Sequence, residues 1–149
     1  MEHPFSFPKS EHLCLKSKFD ELFNSSRKAI YCEEFRIVWI ATETEIPSVQ
    51  VAFSVSKRNF KRAVHRNILK RRTREAYRLN KTSFISVLEE LQLSISFIFI
   101  YTGKEIKEYR EIEENVIHSL SKLEYELKKW KQNNSSNSMA IKNGSDSID

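Results

Sequence analysis

Residues 54–81 read SVSKRNFKRAVHRNILKRRTREAYRLNK, and both the fold and the chemistry of the chain turn on this stretch. It holds eleven Lys or Arg against one acid, Glu75, so its formal charge is +10. The 149-residue chain has 25 basic and 20 acidic residues, so acids outnumber bases everywhere else. A charge segregated in this way is the footprint of a polyanionic partner. At 100° per residue, Arg62, Arg66, Lys70, Arg74 and Arg78 succeed one another at i+4 as one slowly drifting ridge, with Asn67 and Arg71 beside it. Val64, Ile68, Leu69, Ala76 and Leu79 fall on the other side, interrupted by Arg72. The spacing predicts an amphipathic helix with a dry stripe and a cationic ridge. Four successive like-charged i, i+4 pairs repel by roughly 1–2 kcal/mol in all unless something neutralises them. An ordinary solvated face mixes signs instead.

Outward from this block the chain alternates strands and helices. FRIVWIAT, residues 35–42, is β-branched and aromatic and predicts a strand, with Phe35, Ile37 and Trp39 on one face and Arg36, Val38 and Ile40 on the other. VQVAFSV, residues 49–55, predicts a second strand, expected to be its hairpin partner. ISFIFIY, residues 95–101, is apolar on both faces and reads as a central third strand. The second and third strands flank the basic helix and can lie in parallel, for which a right-handed crossover is the default. Leu15, Phe19, Leu22 and Phe23 share one face of an expected N-terminal helix. Residues 82–93 suit a short helix or an ordered loop. From Lys104 to about Lys131 Ile112, Val116, Leu120, Leu123 and Leu127 keep helical spacing, with Ile106, Ile117 and Trp130 near the same face. The expected organisation is an arm over 1–12, one domain over 13–131 and a polar, disordered tail over 132–149. The class is α+β, a small mixed sheet packed with helices.

Composition narrows the function. Two cysteines, Cys14 and Cys32, are too few for a disulfide framework. No signal peptide is visible and no apolar run is long enough to span a bilayer, so a soluble, cytoplasmic protein with no membrane partner is expected. No catalytic set assembles. The four histidines are scattered, and HExxH, paired CxxC and glycine-rich phosphate loops are all missing, so no catalytic residue and no metal ligand is assigned. What is present suits RNA: Lys and Arg to neutralise phosphates, and aromatic rings such as Phe19, Phe23 and Trp39 to stack on single-stranded bases. Plain core packing is the competing role for those rings.

The run KRNFKRAVHRNILKRRTREAYRL resembles the signature of the bacterial ribonuclease P protein subunit family, whose motif is Arg-Asn-Arg, then Lys-Arg, then Arg-Glu-Ala-aromatic. Arg66, Asn67, Lys70, Arg71, Arg74, Glu75, Ala76 and Tyr77 match it. Ala52 to Arg58 resembles the strand that leads into it, and KFDELF resembles the family's first helix. Ile68 stands where the motif has its second Arg, and is expected to join the apolar stripe. The resemblance covers roughly residues 13–130. It implies an α-β-β-(β)-α-β-α fold with a left-handed β-α-β crossover, against the right-handed default. It also implies a protein that is not itself the catalyst. A catalytic RNA carrying Mg2+ removes the 5′ leader of precursor tRNA, and the protein binds both RNAs. The implied RNA-binding residues are Lys57, Arg58, Lys61, Arg62, Arg66, Asn67, Lys70, Arg71 and Arg74. The implied 5′-leader cleft, between the first helix and the sheet, holds Phe19, Phe23, Trp39, Ser54 and Ser56. The alternative is a general RNA-binding protein, ribosome-associated or an RNA chaperone, which would need no leader site. A DNA-reading module is weaker, because the helix lacks a preceding helix-turn partner.

Overall fold

The nine residues LSISFIFIY organise the sheet. Alternation sends Leu93, Ile95, Phe97, Phe99 and Tyr101 to one face, where all five are buried. Ile98 is buried on the other face as well. A strand apolar on both faces is best placed with a neighbour on each side, and this one has two. The computed structural model describes residues 28–148, with side chains placed for 28–134. In chain order the described elements are β1 (Lys28–Cys32), β2 (Phe35–Glu43), β3 (Val49–Val55), α1 (Ala63–Asn80), α2 (Thr82–Leu91), β4 (Leu93–Tyr101) and α3 (Tyr109–Ile148). The expected arm and N-terminal helix, and with them Phe19 and Phe23, lie outside the described residues.

The sheet order is β1-β2-β4-β3. β4 runs antiparallel to β2, from Phe35 opposite Tyr101 to Glu43 opposite Leu93. It runs parallel to β3, from Val49 opposite Ile95 to Val55 opposite Tyr101. So β2 and β3 are not hairpin partners, as their adjacency in sequence suggested. β4 is inserted between them. The connection over 44–48 has to cross two interstrand gaps, about 10 Å in all, which five residues span easily. Backbone bonds from Thr44 N–H to the Gln92 carbonyl (3.0 Å) and from Ile95 N–H to the Ser48 carbonyl (3.0 Å) hold it there. The true hairpin is β1 with β2, turning at Glu33 and Glu34. Glu33 takes the left-handed conformation, φ 52°, that such two-residue turns require.

The three described helices pack on one face of the sheet. The core joins Phe35, Ile37 and Trp39 of β2 to Leu69, Ala76 and Tyr77 of α1, Phe84 and Leu88 of α2, and the α3 stripe. Ile112, Val116, Leu120, Leu123 and Leu127 are buried as their spacing predicted, whereas Ile106 and Ile117 are exposed. Ring pairs knit the layer: Phe97 meets Phe99 at 5.4 Å and Phe84 at 5.5 Å, each edge-on. Such pairs add about 0.5–1.5 kcal/mol beyond the area they bury. α3 runs on to Ile148, past the boundary at Lys131 where the tail was expected. Beyond Lys131 there is no proline and only Gly144, so nothing interrupts the i to i+4 ladder. The opposite face of the sheet carries a smaller apolar patch, Val38 and Ile98 with Ile40, Ala52 and Ile100 around them.

Candidate nucleic-acid interface

The loop from β3 into α1 is built to hold cations still. Ser56 Oγ accepts the Arg58 N–H (3.1 Å), and the Ser56 carbonyl accepts the Phe60 N–H (3.1 Å). Asn59 Nδ2 donates to the Thr102 and Gly103 carbonyls (3.2 and 3.4 Å), pinning the loop to the end of β4. From inside the helix, Arg66 Nη1 donates back to the Phe60 and Lys61 carbonyls (2.7 and 2.8 Å). Buried Phe60 anchors the loop to the core. Lys57, Arg58, Lys61 and Arg62 are left exposed around the start of α1. That helix has no side-chain N-cap and no acid in its first turn. Its first N–H groups and the positive end of its dipole therefore face a ring of cations. Alone the arrangement is repulsive; an anion is its complement.

Along α1 the buried line is Leu69, Thr73, Ala76 and Tyr77. Thr73 can join it because its hydroxyl donates to the Leu69 carbonyl (2.8 Å). This rotates the dry stripe away from the expected one. Val64 is 57% exposed and Leu79 37%. Ile68 is half-buried but stands outside the core cluster, so the expectation that it joins the core fails; Leu69 takes that place. Arg72 interrupts no apolar stripe. Its Nη1 donates to the Lys107 carbonyl (2.5 Å), bracing the loop that leads into α3. Arg78, last on the ridge, is engaged by Glu75 at 3.0 and 2.5 Å. The Arg78 hydrogen bond holds the Glu75 carboxyl below the usual carboxylate range, and the same bond raises Arg78.

The ridge that remains is Asn67, Arg71 and Arg74, all exposed, with half-buried Lys70. Arg74 lies over the Phe53 ring, 5.7 Å from its centroid. Among the described residues, the salt bridges involve none of the exposed cations of the loop or of this ridge. Of the nine expected RNA-binding residues, eight project from one loop-and-helix platform. The ninth, Arg66, has one nitrogen turned inward to the loop.

The expected cleft residues separate. Ser54 is exposed on the sheet face turned away from the helices. Ser56 lies in the loop, where its hydroxyl oxygen serves the turn. Trp39 is 1% exposed inside the helix-side core, together with Phe35 and Ile37. Strand alternation puts its ring on the opposite side from Ser54, so Trp39 is a core residue and no stacking platform. In its place the sheet face that carries Ser54 offers Tyr31 and Arg36, which no motif had named. Alternation already set Arg36 beside Val38 and Ile40, but the strand that carries Tyr31 had gone unread. At the far end of this face, Ile40, Thr42, Ser48, Gln50, Ser94 and Ser96 line an uncharged cavity of about 170 Å³.

Comparison with known proteins bears on the family and the fold. The family model described as Ribonuclease P matches residues 7–124. The ribonuclease P protein component of Porphyromonas gingivalis strain W83 is 34% identical over 120 residues, covering 80% of this chain and 87% of that protein. The ribonuclease P protein component of Geotalea uraniireducens is 40% identical over 81 residues, 54% of this chain and 68% of that one. Among solved structures, the Staphylococcus aureus RNase P protein superposes with a TM-score of 0.59 at 21% identity, covering 76% of this chain and 94% of that one.

Proposed function

The chain belongs to the ribonuclease P protein family, and from that premise we propose how its two surfaces divide the work. It is an accessory subunit of the endoribonuclease that matures the 5′ end of tRNA. The catalytic RNA binds the platform formed by the 57–62 loop and the outer side of α1. The 5′ leader of precursor tRNA crosses the sheet face opposite α1, α2 and α3, at Ser54. Magnesium serves the phosphodiester hydrolysis within the RNA, and the protein supplies affinity and position. No described helix is long and apolar enough to cross a membrane, in keeping with a cytoplasmic site of action.

One observation carries this reading: exposed cations on a braced loop and helix that pair with no carboxylate among the described residues. Lysine and arginine in that state bind phosphates and release counterions. Reconstitution tests it. The protein alone should cleave nothing. With a cognate ribonuclease P RNA it should speed a single cut at the tRNA 5′ end at low magnesium. Equal rates with and without the protein would refute the reading and leave the general RNA-binding alternative.

A further inference from the structure

The sheet face opposite the three described helices carries a row of side chains running straight across the sheet. Tyr31 is paired with Arg36, Arg36 with Ile100, and Ile100 with Ser54. Directly paired residues put their side chains on the same face. A phenol, a guanidinium, an aliphatic chain and a hydroxyl therefore stand in line in the order β1, β2, β4, β3. Three interstrand steps make the row about 14 Å long. Tyr31 is 64% exposed, and the Arg36 guanidinium lies 5.9 Å from its ring centroid.

Arg36 is the unexplained member. Its Nε is buried with no hydrogen-bond partner, and its side chain has no carboxylate partner among the described residues. A buried donor left unmade is costly, and such a group calls for an explanation. A guanidinium both forks to phosphate oxygens and stacks on flat rings. An exposed tyrosine beside it is a platform for a base. The Ser54 end of the row lies two residues before Ser56, where the cationic loop begins. The row thus leads from that loop to the β1 edge of the sheet.

We infer that Tyr31 and Arg36 form the far end of the single-stranded RNA path, Arg36 taking a phosphodiester of the leader and Tyr31 stacking the adjacent base. This deepens the proposed function and rests on its leader reading. The test is a set of precursor tRNAs whose leaders lengthen one nucleotide at a time, bound to holoenzyme made with wild-type protein, Arg36→Gln, Arg36→Lys or Tyr31→Ala. Wild type should gain affinity with leader length. Arg36→Gln should lose about tenfold, only for leaders long enough to cross the sheet, with mature tRNA unaffected. Its salt slope for those leaders should fall by about 0.7. Arg36→Lys should restore the slope. Tyr31→Ala should weaken the same long leaders severalfold, and because Tyr31 is exposed it keeps the test open if Arg36→Gln fails to fold. If wild type gains with length and both Arg36→Gln and Tyr31→Ala keep that gain, or if they weaken mature tRNA equally, this inference is overturned while the leader reading stands. If wild type shows no dependence on leader length, the leader reading falls and this inference with it.

Discussion

Arg66 shows how much of a motif residue's role depends on where its side chain turns. Spacing put it on the cationic ridge, and the ridge is there. Helical drift sets its start near the buried side, and Nη1 of Arg66 closes the 60–61 loop while its other N–H groups stay available. Arg66→Ala should therefore do two things at once. It should weaken binding of the catalytic RNA about tenfold and speed amide exchange at residues 60–62, because the two carbonyls lose a charge-assisted partner. Faster exchange with unchanged RNA affinity would leave Arg66 a loop brace only. Trp39 carries the opposite lesson. On spacing alone it had two faces to choose from, and composition could not say which face the helices would cover. Trp39→Ala should cost about 3–5 kcal/mol in urea denaturation, as large-to-small core changes do. A leader-cleft residue would instead lose leader affinity at unchanged stability.

Elements were more legible than their pairings. β2, β3 and β4 announce themselves through β-branched and aromatic runs, and the α3 stripe through its spacing. β1 is five residues on a sheet edge, with Lys28, Ala29 and Tyr31 exposed, so it has little apolar pattern to read. Its turn, Glu33–Glu34, lacks the Asn or Gly that marks a tight hairpin. The β2–β3 pairing failed because contact between those strands competes with burial of β4 on both flanks, and burial wins. α1 was found but rotated, since Val64 and Leu79 count as apolar on a wheel while Thr73 and Tyr77 count as mixed. The end of β4 yields a pH prediction. Burial, helped by the nearby Glu34 charge, pushes the Tyr101 phenol up to about 12. Burial and the bond it donates to Glu113 (2.9 Å) push Tyr109 up to about 12 as well. Both native values lie above the unfolded 10, so the unfolded chain gives up these protons first. Stability from this source is complete below pH 10 and lost as the pH rises towards about 12. The urea midpoint should fall across that interval, and Tyr101→Phe should flatten the fall. An equally steep fall in Tyr101→Phe would exclude Tyr101 as a source.

On the scale of the molecule, the sheet keeps two RNA-facing surfaces apart. Its helix side carries α1 and the cationic ridge; its other side carries Tyr31, Arg36 and Ser54. Arg74 leans on Phe53, whose ring stacks on Phe99 within the helix-side core. Arg36 leans on Tyr31 across the opposite face. Among the described residues the two cations share no partner, and the full thickness of the sheet lies between them. Contributions from such sites add to within about 0.3–0.5 kcal/mol. In the holoenzyme, then, Arg74→Ala should weaken assembly with the catalytic RNA whatever substrate follows. Arg36→Gln should leave assembly alone and weaken only leader-bearing precursor. The double variant should lose the sum of the two free energies for precursor tRNA, and no more than Arg74→Ala alone for mature tRNA. A coupling above about 1 kcal/mol in that cycle would mean that the two faces grip one continuous RNA element, and the division of labour across the sheet would have to be abandoned.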